Sequence, residues 1–493
     1  MCVKEVGRKL GMQISKRRSL ALDLVEKGND DLNSHGKNER VNKILPPEVN
    51  SGMLYKDVVQ IAWPALMELA LTQLVSMADM MMVGSLGAWA ISAVGLTTQP
   101  KFLFMTLFMA LNVGATALVA RYRGAGDPKR ANIILRQAFL LTFVISSVSS
   151  ILGFIFAEPM IRFMGAENQQ TLAAGTMYLR IQMSGLVVIG LTSTVTATLR
   201  GIGDSRTAMV YNLTANVINV IFNWFLIFGN WGFPKMGVAG ASLATVIGQS
   251  VAFIMAMTVV IRGKGFLVLR FKEGFKPRWK YIKSIFNIGI PSMIEQSIMR
   301  AGMILYTLTV TSLGDTSYAI HQIAMNVLGM SFMIGQAFAV SATSLTGQCL
   351  GKKRPDMAQA YGSRTRRLGM VLSMMVGVLF FFFGEQLTSL YNKDPFIIEQ
   401  GKQIMKLMAL IIPFQTSQFI LAGALRGAGD TRATAVITLC TVLAIRPGAS
   451  YIAVHVLSWG VIGAWVALGL DQVLRSVFVL IRYNSGKWKT IRV

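Results

Sequence analysis

The chain has 493 residues, of which 53% are hydrophobic and only 14% are charged, and its mean hydropathy is +0.52. A soluble domain carries about 25% charged residues, so the composition excludes an ordinary soluble protein and indicates an integral membrane protein. The net charge of +25 does not predict a nucleic-acid partner, because the basic residues lie in short segments between apolar runs, as cytoplasmic loops do. The three cysteines form no metal-binding or redox motif.

The chain begins with a polar segment, residues 1–54, which lacks the apolar stretch of a cleavable signal peptide. It predicts a cytoplasmic tail. Twelve apolar segments follow, each long enough for the about 20 residues that cross a bilayer as a helix. Their predicted bounds are 58–82, 93–119, 137–157, 171–199, 208–229, 238–261, 284–312, 319–346, 366–386, 402–424, 434–457 and 460–482.

These segments predict an all-α polytopic membrane protein, because lipid cannot satisfy the backbone of an exposed strand edge. The loops after predicted helices 2, 6 and 8 are rich in Lys and Arg, whereas opposite loops such as 84–92 and 313–318 carry almost none. Both termini are therefore expected in the cytoplasm. The remaining predicted domains are an N-lobe at 55–261, a cytoplasmic linker at 262–283, a C-lobe at 284–482 and a cytoplasmic C-terminal tail at 483–493.

The two lobes repeat each other in sequence. Pro64 and Glu68 recur 227 residues later as Pro291 and Glu295, and the Leu-Arg-Gly-x-Gly-Asp-x-Arg loop of residues 199–206 recurs in the second half. Six helices is an even number, so both lobes have the same orientation and form a parallel repeat related by a pseudo-two-fold axis along the membrane normal. Such repeats are typical of transporters, which bind substrate between their halves.

Asp79 is an acid within the first apolar helix. Because acids there are rare and costly to bury as ions, Asp79 predicts a site that binds a proton or Na⁺. The repeat places Tyr306 at the corresponding position of the C-lobe, so the coupling site is expected in the N-lobe. Glu68 lies on the same helix face as Asp79, about 16 Å away along the axis. For Glu68 and Glu295, functional and structural roles are equally expected.

Helix 5 carries a stripe of four asparagines. Asn212 and Asn216 are expected to bond neighbouring helices, whereas Asn219 and Asn223 lie at the depth of Asp79, where amide oxygens can bind Na⁺ or share a proton. The other polar residues within or next to the predicted helices are expected to have structural roles. The arginines and aspartates of the twin loops are expected to cap helices or form ion pairs, Arg446 to form a buried ion pair, and His321 and His455 to be satisfied helix residues.

Over residues 55–482, the chain resembles bacterial multidrug and toxic compound extrusion (MATE) transporters. The matching motifs are Pro64-x3-Glu68…Asp79-x3-Val83-Gly84, Gly124-x-Gly126-Asp127, both Leu-Arg-Gly-x-Gly-Asp loops, Ala319-Ile320-His321-Gln322-Ile323-Ala324-x-Asn326 and Gly347-Gln348-x-x-Gly351. The resemblance implies two lobes that rock about a central cavity and expel cationic amphipathic drugs in exchange for H⁺ or Na⁺. It assigns cation coupling to Asp79, with Asn219 and Asn223 as polar partners.

The resulting hypothesis is a monomeric multi-pass antiporter of the bacterial inner membrane, with small organic cations as substrates. It needs no cofactor beyond the coupling ion, and Na⁺ at Asp79 is the one metal considered. No catalytic set is visible, so an enzyme is not expected. The alternative is a lipid-linked saccharide flippase, which the scarcity of membrane-embedded Arg and Lys other than Arg446 disfavours. Further candidates for substrate or ion contact are Glu68, Glu295, Gln73, Met77, Tyr306, Gln415 and Gln418.

Overall fold

A computed structural model describes residues 51–166, 168–262, 265–270 and 274–491. Most of the predicted N-terminal tail lies outside these residues. The helices of the first half are α1 (Ser51–Gly84), α2 (Ala88–Gly124), α3 (Pro128–Ile155), α4 (Ala157–Phe163), α5 (Gln169–Ser184), α6 (Leu186–Gly201), α7 (Ser205–Phe228) and α8 (Val238–Ile261). Those of the second half are α9 (Trp279–Thr311), α10 (Asp315–Gly351), α11 (Pro355–Ser389), α12 (Pro395–Ala428), α13 (Thr431–Thr438), α14 (Arg446–Tyr451) and α15 (Gly460–Asn484).

The fold is that of a multi-pass membrane protein with two lobes of six spans, as predicted. Within the described residues, ten helical segments are long and apolar enough to cross a bilayer, and the bent pair α5–α6 makes an eleventh span. The remaining predicted span, the seventh at 284–312, corresponds to α9, whose 33 residues are long enough to cross. Its hydropathy is lowered by Glu295, Gln296 and Arg300.

The fourth span is broken, whereas the sequence predicted one continuous helix over 171–199. α5 and α6 meet at Gly185 with a bend of 49°. A Cβ at Gly185 would come within 3.0 Å of the Val246 side chain on α8. The absence of a side chain therefore lets α8 pack directly against the bend, and sharp bends of this size have such local causes.

The eleventh span is also irregular, although its predicted bounds, 434–457, agree with the structure. Two π-helical segments, Leu439–Ile445 and Ile452–Val456, lie on either side of α14. Its N-lobe counterpart, α7, is a regular α-helix. π-Helical turns are rare and occur mostly as single-turn bulges, often at functional sites. The first of them ends just before Arg446, which begins α14. Because a π-helical turn contains more residues than an α-helical turn, Arg446 lies on a different face of the span than in a regular α-helix.

The first buried core lies mainly in the N-lobe. Apolar side chains of α2, α3, α6, α7 and α8 pack together there, with Leu118, Ile134 and Val195 almost fully buried, and Ile285 and Ile288 of α9 join the same cluster. In the C-lobe, α12 is the central helix, and it packs against α10, α11 and α15. Of its most apolar 18-residue stretch, 72% is buried. Small residues make these close approaches possible, as is usual between membrane helices.

Hydrogen bonds join the lobes at the helix ends that carry the basic loops, and α2 also packs against α9 further into the spans, where Arg300 lies over the Phe102 ring. Ser341 on α10 donates to the carbonyl oxygen of Val58 at 3.1 Å, and the hydroxyl of Tyr361 donates to Asp57 at 2.6 Å. Gln348 donates to the carbonyl oxygen of Gly201 at 3.2 Å. The first and second halves of the chain are therefore joined at this end by hydrogen bonds that run between α1 or α6 and α10 or α11.

Two glycines related by the repeat lie in this contact, which we call the glycine seam (Gly124 and Gly351 with their partners Gln348 and Arg121). A Cβ at Gly124 would come far inside 3.0 Å of the Gln348 carbonyl oxygen, and a Cβ at Gly351 would come equally close to that of Arg121. The ends of α2 and α10 thus touch backbone to backbone, and any larger residue at either glycine would separate them.

The described part of the predicted linker packs on the N-lobe rather than spanning freely between the lobes. The side chain of Gln137 donates to the carbonyl oxygen of Lys276 at 3.0 Å and accepts from the Arg278 amide at 2.9 Å. Asn132 accepts from the Val268 amide at 2.8 Å. Two polar residues of α3 therefore fix the path of the chain before α9 begins.

Candidate functional site

Asp79 lies in the wall of a cavity of about 280 Å³ within the N-lobe. The cavity is formed by α1, α2, α5, α7 and α8. Its polar lining consists of Thr72, Ser76, Asp79, Lys101, Tyr178, Asn216, Asn219, Thr245 and Gln249, and its apolar lining of Val75, Met80, Val83, Val94, Ala215 and Ala241. Small-molecule sites usually have a mostly apolar wall, so the larger polar share here indicates a site for a polar or charged ligand.

The structure brings the three predicted coupling residues together. The Asn223 amide donates to Asp79 Oδ1 at 2.5 Å. The Asn219 amide, assigned so that both its neighbours are satisfied, donates to the two Asp79 oxygens at 3.0 and 3.1 Å and accepts from Thr245 Oγ1 at 3.2 Å. Asn223 Oδ1 is buried without a partner among the described residues. The amide N–H groups of two asparagines thus donate to the carboxylate and stabilise its negative charge.

Lys101 is a cavity residue that the sequence analysis missed. It follows Pro100 on α2, and it interacts electrostatically with Asp79 across the cavity. Tyr178, Thr245 and Gln249 were missed as well. The one available signal was a lysine within an apolar run, which is costly in a membrane. Nothing in the spacing of these residues indicates that α2, α5 and α8 converge on Asp79.

Glu68 forms an ion pair within the N-lobe. Arg200, from the first Leu-Arg-Gly loop, donates to Glu68 Oε1 at 2.7 Å, and Asn212 donates to the same oxygen at 2.8 Å. Asn216 donates to Thr72 at 3.0 Å. The expected interhelical role of Asn212 and Asn216 is thereby confirmed, because each bonds α7 to α1.

Glu295 makes the corresponding contacts in the C-lobe. Arg426, from the second Leu-Arg-Gly loop, donates to Glu295 Oε1 at 2.5 Å, and Thr434 donates to Oε2 at 3.0 Å. The predicted structural role of the twin loops is confirmed, since both loop arginines form ion pairs and Asp204 caps α7 by accepting from the Thr207 amide at 3.1 Å. Neither glutamate lines the Asp79 cavity.

The C-lobe has different chemistry at the position that matches Asp79. Tyr306 is fully buried there, with its hydroxyl unpartnered among the described residues. Its ring centroid lies 5.4 Å from that of His321, which in turn lies 5.6 Å from that of Trp465. The expectation of a satisfied His321 is wrong, because no described residue hydrogen-bonds its buried Nδ1.

The other candidates are spread over both lobes. Gln415 and Gln418 are buried in α12, and both Gln415 amide atoms lack partners among the described residues. Gln73 and Met77 are exposed on α1, where Met77 retains 45% of its surface. None of these four lines the cavity that contains Asp79.

Arg446 forms the predicted buried ion pair. It donates to Asp471 Oδ2 at 2.5 Å, and Arg475, one turn further along α15, donates to the same oxygen. Asp471 is a further intramembrane acid, which the sequence analysis did not consider. The predicted scarcity of membrane-embedded Arg and Lys other than Arg446 is also wrong, since Lys101, Arg300 and Arg475 all lie inside helices.

The MatE family model matches residues 64–225 and 291–452, one match in each lobe. The chain belongs to the MatE family. Both matches begin at the proline that starts a repeated Pro-x3-Glu motif. The cavity around Asp79 is formed largely by the first matched region, with α8 completing it.

This MatE protein is similar over most of its length to known relatives. It is 28% identical to the probable multidrug resistance protein NorM of Thermotoga maritima over 88% of this chain and 93% of the relative. It shares its fold with a MOP superfamily transporter from Pyrococcus furiosus (TM-score 0.82, 20% identity, 88% and 97% covered). The same holds for an outward-facing multidrug resistance MATE family transporter (TM-score 0.82, 20% identity, 88% and 97% covered).

Proposed function

We propose that this MatE protein is a secondary active antiporter that exports amphipathic organic cations in exchange for H⁺ or Na⁺. The observation that carries the proposal is the membrane-embedded carboxylate of Asp79, hydrogen-bonded by Asn219 and Asn223 at the wall of a 280 Å³ cavity. An intramembrane acid that faces a cavity is typical of an ion or substrate pathway. The multidrug resistance function ascribed to the NorM relative supports the drug class.

The chemistry of Asp79 links the ion to the substrate. As a carboxylate it attracts an organic cation in a medium of low dielectric constant. Binding of H⁺ or Na⁺ neutralises it and releases that cation, and the two amide donors hold the side chain in place in both states. The inward movement of one such ion charge across 100 mV supplies about 2.3 kcal/mol.

The positions of the lobe contacts support alternating access. The hydrogen bonds of Ser341, Gln348 and Tyr361 join the lobes at the end with the basic loops, which we assign to the cytoplasm. At the other end, α1 exposes Met77, Met80 and Met81. We infer from these hydrogen bonds an arrangement closed toward the cytoplasm, the state in which substrate would leave outward.

The experiment that tests this proposal is transport in proteoliposomes with pH and Na⁺ gradients imposed separately. Wild-type protein should drive counterflow of a fluorescent organic cation with at least one gradient. Asp79→Asn should abolish it while preserving insertion and thermal stability. Glu385→Gln, which removes a half-exposed carboxylate on α11, is the matched control and should transport normally. Full ion-driven transport by Asp79→Asn would contradict the proposal.

The remaining assignments belong to the same proposal. We place the protein as a monomer in the bacterial plasma membrane with both termini in the cytoplasm, with no cofactor beyond the coupling ion and no enzymatic reaction. The flippase alternative would need a strongly cationic cavity. Arg446 and Arg475 do not supply it, because Asp471 binds both in the C-lobe core. Lys101 alone does not outweigh Asp79 in the cavity.

A further inference from the structure

The N-lobe cavity contains one acidic and one basic side chain on different helices. Asp79 projects from α1 and Lys101 from α2, and both line the same 280 Å³. Tyr178 on α5 and Gln249 on α8 complete the polar lining near them, and neither is charged at neutral pH. The described lining therefore has no net formal charge, which differs from a simple cation site with a lone carboxylate.

The two charged groups line the same cavity without pairing directly. Asp79 is hydrogen-bonded by Asn219 and Asn223, and no direct ion pair joins it to Lys101 in the described structure. Among the described residues, the ammonium of the half-buried Lys101 has no hydrogen-bond partner, and an unpaired ammonium within a membrane span is costly. The anion that would offset this cost must come from something that enters the cavity, or from Asp79 across it.

We propose that Lys101 makes this cavity selective for zwitterionic amphipathic substrates, whose cationic group lies at Asp79 and whose carboxylate lies at Lys101. This inference rests on the proposed export function and narrows its substrate class. A ligand with both charges satisfies both cavity groups. A ligand with the cation alone leaves the ammonium unpaired. Binding sites reject most strongly those ligands that leave a polar group of the site without a partner.

A matched pair of dyes tests the inference directly. Rhodamine 110 has a free carboxylate beside its cationic xanthylium ring, and rhodamine 123 is its methyl ester, which keeps the cation and lacks the anion. Dissociation constants for both dyes are measured by fluorescence anisotropy on the purified full chain at neutral pH. Taking the ratio of the two constants within each variant cancels changes that affect both dyes equally.

The expected result is that the wild-type protein binds the acid about tenfold more tightly than the ester, since a hydrogen bond to a charged group contributes about that factor. Lys101→Met should remove this preference, and Lys101→Arg should retain it. Arg300→Met is the matched control, because Arg300 lies over the Phe102 ring and does not line the cavity. Asp79→Asn should weaken the binding of both dyes.

Two outcomes overturn the inference: wild-type protein that binds the ester as tightly as the acid, or a Lys101→Met ratio equal to that of wild type. If Lys101→Met does not fold, the wild-type ratio alone decides. Efflux of rhodamine 123 driven by a pH or Na⁺ gradient separately tests the proposed function. Gradient-driven efflux with an unchanged Lys101→Met ratio refutes only the zwitterion preference, whereas the expected ratios without any driven efflux refute only the antiport.

Discussion

Replacing Gly124 by alanine should open the contact between the lobes at the glycine seam. The new methyl group would come far inside 3.0 Å of the Gln348 carbonyl oxygen, which belongs to backbone and cannot rotate away. Forcing a methylene-sized group into a packed interface costs about 1–3 kcal/mol. If the lobes separate to relieve this cost, the ratio of molecules closed at the seam to molecules open there falls about 5- to 150-fold.

The assay is a distance measurement between spin labels at exposed positions on either side of the seam, Lys129 and Lys352, in a cysteine-free background. Gly124→Ala and Gly351→Ala should both shift the distribution to longer distances. Gly95 lies on the same helix as Gly124, and a Cβ there would meet nothing within 4 Å. Gly95→Ala is therefore the control and should leave the distribution unchanged. Equal distributions in Gly124→Ala and Gly95→Ala would refute the reasoning.

Three further outcomes follow from the ion pairs, two of them buried and one exposed. Glu68→Gln should lower stability by about 3 kcal/mol, because it leaves Arg200 without its carboxylate, and a lower midpoint of thermal aggregation in detergent would show this. Asp471→Asn should have a larger effect in the same assay, because two buried arginines lose one shared partner; an unchanged midpoint would contradict it. Glu385→Gln, on an exposed pair, should not move the midpoint.

The fold could be predicted from the sequence because membrane helices follow local rules. Apolar length gave the spans, and basic loops gave their orientation as a prediction. The break at Gly185 could not be predicted in this way, since it depends on Val246 from a distant helix. The π-helical segments around Arg446 are equally hidden, because hydropathy does not distinguish an α-helical from a π-helical register.

The site could be predicted only where one helix carried the whole pattern. The asparagine stripe on α7 indicated that Asn219 and Asn223 share a face, and the structure places both against Asp79. Lys101 reaches the same cavity from α2, and its role depends on how two helices pack. Asp471 was overlooked for a related reason. Its structural role is to pair with Arg446, which is 25 residues away and on another helix.

The glycine seam has the symmetry of a dimer interface. Gly124 contacts the end of α10 while its repeat counterpart, Gly351, contacts the end of α2, so each half of the chain supplies both the glycine and the backbone it touches. This is the isologous pattern of a two-fold homodimer, in which every contact occurs twice. A single ancestral half could therefore have paired with a copy of itself through this surface. Within one chain the two copies no longer need identical sequences, and they differ here at Asp79 and Tyr306.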